Sequence, residues 1–123
     1  MRYLLLIYGN ENLEAQMSEA EQNELFGAYY AYTNEIKASG KHLGGDALQP
    51  TTTATTVRVR EGKTVTTDGP FAETKEQLGG FYMVEAENLD EAVAWAAKIP
   101  SATYGSIEVR PIMEFPEDGP PAG

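Results

Sequence analysis

The chain contains no cysteine and a single histidine, His42. Without cysteine there is no disulfide, no thiol nucleophile and no thiolate-based metal site. A single histidine also excludes any metal or catalytic site that requires two imidazole groups. No zinc motif, phosphate-binding loop, dinucleotide fingerprint or nucleophile elbow occurs in the sequence. The sequence therefore predicts neither a metal site nor a bound cofactor.

Basic residues and long apolar runs are also scarce. Nine lysines and arginines stand against 19 aspartates and glutamates, so the formal net charge is −10, and so acidic a surface repels a phosphate backbone. No stretch approaches the roughly 18 apolar residues of a membrane span. The short apolar run at residues 4–7 lacks the flanks of a secretory signal. We therefore expect a cytoplasmic protein that binds neither nucleic acid nor membrane directly.

The 123 residues suffice for one domain, which we place at residues 1–115. Its clearest element is a helix that begins at Ser18, where a capping box with Glu21 precedes an apolar stripe, and that ends at Gly40. A second helix begins at Asn88 and ends before Pro100. The pattern also predicts strands at residues 2–8, 42–49, 81–86 and 107–115, a β-hairpin at 53–67, one or two helical turns at 72–78, and a disordered tail at 116–123.

This order of elements, β-α-β-hairpin-β-α-β, predicts an α+β fold of the ferredoxin-like type, with an antiparallel sheet and both helices on one face. Residues 2–8 and 81–86 are apolar on both faces, as expected for the two central strands. The helices can cover only one face. Covering the other is worth on the order of 10 kcal/mol before the entropy of association is subtracted. We expect a homodimer with its sheets packed face to face, unless the hairpin covers that face instead.

Asp68 is the sharpest candidate for a functional group. An aspartate before Gly-Pro commonly stabilises a turn through its side chain. The same turn could instead present the carboxylate at the mouth of a cleft, as a catalytic general base or a ligand anchor. Glu73, Lys75 and Glu76 follow closely. They either form a solvated charged turn, or Glu73 or Lys75 pairs with Asp68, perturbs its pKa and binds ligand.

Three further residues are candidates for ligand binding. His42 is either an exposed histidine or a proton shuttle toward Asp46 or Asp68. Tyr29 belongs to an aromatic cluster on the first helix, and it either packs in the core or lines a cavity with its hydroxyl. Arg110 is one of a few arginines that either pair with carboxylates or recognise an anionic small molecule.

The segment that begins at Asp68, DGPFAETKEQLGGFY, resembles the DGPF-domain branch of the YCII-related family. The residues at 44–45, 48–50, 51–60 and 108–111 are similar to that branch too, so the resemblance covers essentially residues 1–115. It implies a dimeric α/β-barrel of the ferredoxin-like type, in small bacterial proteins with no established biochemical role. Some relatives are fused to, or associated with, extracytoplasmic-function sigma factors.

The wider YCII family carries a histidine in its first helix and an aspartate just after its second, proposed as a catalytic pair. This sequence has neither, because the corresponding stretches are residues 26–32 and Lys98-Ile99-Pro100. The pair cannot be carried over, and Asp68 of the branch motif remains.

These observations favour a dimeric module that binds a small organic ligand in a cleft between helices and sheet, near Asp68. A first alternative is a cofactor-free enzyme of the dimeric α/β-barrel type that uses Asp68. A second is an accessory protein that binds a sigma factor, since an acidic surface suits a protein partner better than DNA. The sequence leaves open whether the hairpin packs on its own chain or on a partner.

Overall fold

The computed structural model describes residues 1–119 and confirms the predicted α+β, ferredoxin-like fold. A four-stranded antiparallel sheet has the strand order β2-β5-β1-β6, and β3 and β4 form a separate two-stranded sheet. The first and third strands of the larger sheet are therefore central, as predicted. In chain order the elements are β1 Arg2–Gly9, α1 Glu11–Ala15, α2 Glu19–Ala38, β2 His42–Ala47, β3 Thr55–Arg60, β4 Lys63–Asp68, β5 Gln77–Glu85, α3 Leu89–Ala97 and β6 Ser106–Pro111, with 3₁₀ turns at Thr51–Thr53 and Pro100–Thr103.

The hydrophobic core lies between the two longer helices and one face of the larger sheet. Alternate residues of a strand point to the same face, which places Leu5 of β1 and Val84 of β5 in this layer. Both are fully buried, as are Ile36 of α2 and Ile99 after α3. Helix α2 begins at the predicted capping box, in which the Glu21 amide donates to Ser18 Oγ and the Ser18 amide donates to Glu21 Oε1, each at 3.1 Å.

The opposite sheet face, called here the open face, is not covered by a helix. Leu4 and Leu6 of β1 stand beside Met83 and Phe81 of β5 on this face, and all four side chains are half-buried. On β6, Glu108 and Arg110 lie opposite Leu6 and Leu4 in the register. The open face is thus a small apolar patch with charged groups along one side.

The predicted hairpin is present, but it does not cover the open face of its own chain. Strand β4 is exposed throughout, and β3 exposes Val57 and Val59. Its turn contains Glu61 and Gly62 with φ of 52° and 75°, the left-handed pair that a two-residue hairpin turn requires. The sequence left two ways to cover the open face. The one in which the hairpin folds back over its own sheet is therefore wrong.

Some local predictions were also wrong. The segment after β1, for which no element was predicted, contains the short helix α1, whose start is capped because Asn10 Oδ1 accepts from the amides of Asn12 and Leu13. Residues 72–78 form no helix but a loop and the start of β5, which begins at Gln77. The last strand ends at Pro111 rather than Phe115. Of the predicted tail, residues 120–123 lie outside the described residues, and residues 116–119 form a turn.

Candidate functional site

A cavity of about 520 Å³ opens at one end of the larger sheet, and we call it the groove. Tyr8 at the end of β1 and Leu78 at the start of β5 form its floor, while the 3₁₀ turn at Thr51–Thr53, the base of the hairpin and the loop at 70–76 form its walls. Its volume is typical of a site for a small organic molecule. The complete lining is Tyr8, Thr51, Ala54, Thr55, Thr56, Pro70, Phe71, Ala72, Thr74, Glu76, Gln77 and Leu78.

Two side chains from distant parts of the sequence hold the walls together. The carboxylate of Glu11 accepts from the Thr51 amide at 2.8 Å and from Thr51 Oγ1 at 2.7 Å. The side-chain amide of Gln77 accepts from the Glu11 amide at 2.9 Å and donates to the Thr74 carbonyl at 2.6 Å. Two wall segments, the 3₁₀ turn at Thr51–Thr53 and the loop at 70–76, are therefore fixed to α1 and to β5, so this part of the groove is formed before any ligand binds.

The Asp-Gly-Pro-Phe turn supplies one wall of the groove. Gly69 has φ of 104°, a conformation that favours glycine. Its amide donates to the Ala54 carbonyl at 2.7 Å, and its carbonyl accepts from Thr56 Oγ1 at 2.9 Å. Because both bonds join the turn to the base of the hairpin, Pro70 and Phe71 are placed in the lining.

Among the described residues that line the groove, Glu76 is the only one with a formal charge. Ser106 Oγ lies 3.0 and 3.2 Å from its two carboxylate oxygens. Near the floor, the Tyr8 hydroxyl donates to Glu108 Oε1 at 3.4 Å. Tyr8 lies on the same strand face as Leu6 and pairs with Ser106, so the groove opens beside the open face. The sequence had instead led us to expect a cleft between the helices and the sheet.

The structure places the predicted residues Asp68, Glu73 and Lys75 around this groove but not in its lining. Asp68 is exposed at the end of β4, directly opposite Thr55 in the hairpin register. Glu73 and Lys75 are exposed in the loop that supplies one wall. These three residues are therefore exposed neighbours of lining residues along the chain, and we call their position the rim of the groove.

The other predicted residues lie elsewhere. The His42 ring packs edge-on against Tyr82, with ring centres 6.0 Å apart, on the helix-covered face. The Tyr29 hydroxyl is 2.5 Å from Ser101 Oγ, and burial raises the pKa of Tyr29. Arg110 is on β6, where its hydrogen bonds to the Glu108 carboxylate raise the pKa of the guanidinium. The structure does not bring His42 or Tyr29 together with Asp68.

Several groove residues were missed by reasoning from the sequence. Glu76 and Gln77 lie in the segment that carries the family resemblance, which was a usable signal. Glu11 and Thr51 gave no signal in the sequence, because Glu11 bonds to Thr51 across 40 residues of chain and to Gln77 across 66. Such a contact becomes visible only when the sheet register is known.

Comparison with known proteins gives the family. The model of the YCII-related domain matches residues 1–116. The chain belongs to the YCII-related domain family. An uncharacterised protein of Rhizobium meliloti (strain 1021) is 42% identical over 118 residues, which are 94% of each chain.

A solved structure supports the fold. The 5-chloro-2-hydroxyhydroquinone dehydrochlorinase from Burkholderia phenoliruptrix AC1100, in complex with 2,5-dihydroxybenzoquinone, superposes with a TM-score of 0.54 at 18% identity, over 98% of this chain and all of that one. At this identity the likeness shows the fold alone. No helix within residues 1–119 combines the length and apolarity needed to cross a bilayer. In the same part of the chain, no three His, Asp or Glu side chains converge so as to hold a metal ion.

Proposed function

We propose that this YCII-related protein is a homodimeric module that binds a small organic molecule in the groove. The observation that carries the proposal is the built wall of the groove, in which Glu11 and Gln77 bond to each other and fix two separate segments around one cavity. Such a frame lowers the ordering cost that a ligand would otherwise meet on binding. The apolar lining, led by Phe71 and Leu78, suits a ligand with an apolar body.

A second copy of the chain is the occupant proposed for the open face. An isologous dimer would bring the Leu4, Leu6, Phe81 and Met83 patch against its own copy, and two-fold dimers are the commonest assembly of soluble proteins. Because the groove opens beside this face at Tyr8, the second copy would also narrow its entrance. The assembly and the ligand site would then depend on one another.

We also assign the chain to the DGPF branch of the family. The support is the Asp-Gly-Pro-Phe motif in the sequence. In this chain the turn of that motif is bonded to the hairpin base and supplies Pro70 and Phe71 to the groove. Asp68, Glu73 and Lys75 are proposed as rim residues that meet the outer end of a ligand. Several expectations from the sequence stay predictions. They are the ligand-binding roles of His42, Tyr29 and Arg110, the sigma-factor partner, the domain limits and the cytoplasmic location.

Phe71→Ala tests the site. Phe71 is 79% exposed in the unliganded protein, so its truncation should leave folding intact while removing a groove wall. With phenethyl alcohol as probe, we expect the dissociation constant measured by NMR titration to rise about tenfold, the effect of losing one aromatic contact. Phe26→Ala on α2, where Phe26 is 57% exposed, is the matched control and should bind as the parent does. Equal loss in both variants, or no binding by the parent, would contradict the proposal.

The catalytic alternative keeps Asp68 as a general base, because its carboxylate is exposed beside the groove and a substrate bound there could reach it. The named substrate of the dehydrochlorinase supplies a probe, because its reaction releases chloride. For a binding module we expect no chloride release from 5-chloro-2-hydroxyhydroquinone above the buffer rate. Release that Asp68→Asn abolishes, while the variant stays folded by circular dichroism, would instead establish the enzyme.

A further inference from the structure

We propose that the groove selects an organic ammonium ion, an amine attached to an apolar body, over neutral and anionic molecules of the same size. This inference rests on the proposed function and adds the class of ligand. Its basis is the pairing of one carboxylate with aromatic rings in a single apolar lining.

The carboxylate is that of Glu76, which is half-buried in the groove wall. A carboxylate has about four acceptor positions, and here Ser106 Oγ is the partner that the described residues provide. Glu76 therefore retains acceptor capacity where a ligand would lie. A charged donor satisfies that capacity better than a neutral one, since charge-assisted hydrogen bonds are roughly twice as strong.

The carboxylates of Glu11 and Glu108, which lie near the groove, already accept hydrogen bonds from two donors each. Both oxygens of Glu11 accept from Thr51, and Glu108 accepts from Arg110 and from the Tyr8 hydroxyl. This difference assigns ligand recognition to Glu76 rather than to the acidity of the region as a whole.

Aromatic rings complete the pattern. Tyr8 lies at the floor and Phe71 in the wall of the same groove. The faces of such rings carry partial negative charge and attract ammonium groups, most strongly where water is excluded. A carboxylate with two aromatic side chains is a suitable environment for an amine and a poor one for a carboxylate ligand.

The distribution of positive charge agrees with this selectivity. Lys75 and Arg58 are close along the chain to lining residues, but neither lines the groove. Arg110 is paired with Glu108. With a net charge of −10, the protein as a whole attracts cations and repels anions over a distance of about a Debye length.

Three probes of similar size test the inference: phenethylamine, phenethyl alcohol and phenylacetate, titrated by NMR at pH 7 and low salt. We expect the amine to bind about tenfold more tightly than the alcohol, and phenylacetate to bind most weakly. In Glu76→Gln the amine and the alcohol should bind equally, because the glutamine oxygen can still accept from Ser106 while the charge is gone. Glu24→Gln, an exposed helix position with the same change in net charge, should keep the preference of the parent.

The outcomes separate the two proposals. If the alcohol binds in the groove as tightly as the amine, or if the preference survives in Glu76→Gln, the ammonium inference is overturned and the ligand-binding function stands. If the preference falls equally in Glu24→Gln, it reflects overall charge and the inference is again overturned. If none of the three probes binds, both the inference and the proposed function fail.

Discussion

Leu6→Lys is expected to convert the proposed dimer to a monomer. Leu6 lies at the centre of the open face, between Phe81 on β5 and Glu108 on β6. In a two-fold dimer the same substitution occurs twice, and each copy would lose about 2 kcal/mol of apolar burial. The dimer dissociation constant should therefore rise about a thousandfold, with little effect on the fold, because the side chain points away from the core.

Analytical ultracentrifugation at micromolar concentration measures this change. The parent should sediment as a dimer and Leu6→Lys as a monomer. Tyr30→Lys is the matched control, because Tyr30 is 74% exposed on the outer side of α2, and it should remain dimeric. A parent chain that sediments as a monomer would remove the proposed dimer, and the second copy would then have no part in the groove.

Gly45→Ala is expected to lower the free energy of unfolding by about 3 kcal/mol, the combined cost of overpacking and an unfavourable backbone conformation. Gly45 has φ of 155°, and a Cβ atom there would lie 2.5 Å from the Phe81 carbonyl oxygen and 3.1 Å from the Tyr82 Cα. Both atoms belong to the backbone of central strand β5, so neither can move without disturbing the ladder.

The adjacent residue provides the control. A Cβ atom at Gly44 would meet nothing within 4 Å, so Gly44→Ala should change stability by less than about 1 kcal/mol. Denaturant unfolding followed by circular dichroism gives both values. Similar losses in the two variants would contradict the close approach of β2 to β5 that the sheet requires.

The larger sheet could be predicted because several local patterns agreed with one topology. The β1 and β5 segments are apolar on both faces, and a strand order that places them in the centre is the one that the crossover rule gives. The start of α2 was predictable because Ser18 and Glu21 bond to each other within one turn, which requires no tertiary information. The hairpin turn is local in the same sense, because Glu61 and Gly62 are adjacent residues that by themselves adopt the conformation a two-residue turn requires.

The groove could not be predicted in the same way, because it is made of contacts between distant segments. The Asp-Gly-Pro-Phe motif directed attention to Asp68, the polar residue of the turn. In the structure the apolar end of that motif, Pro70 and Phe71, lines the cavity, while Asp68 remains at the rim. Glu76 was grouped with Glu73 and Lys75 in one charged turn, and nothing in the sequence distinguished the residue that lines the groove from the two that do not.

The most direct measurement is the location of bound phenethylamine by chemical-shift perturbation of the backbone amides. The account predicts the largest shifts at the groove, in the 3₁₀ turn at Thr51–Thr53, in the loop at 70–76 and at the start of β5, with none along the outer side of α2. Shifts centred on His42 and Tyr29, or shifts spread evenly over the acidic surface, would contradict a ligand site in the groove.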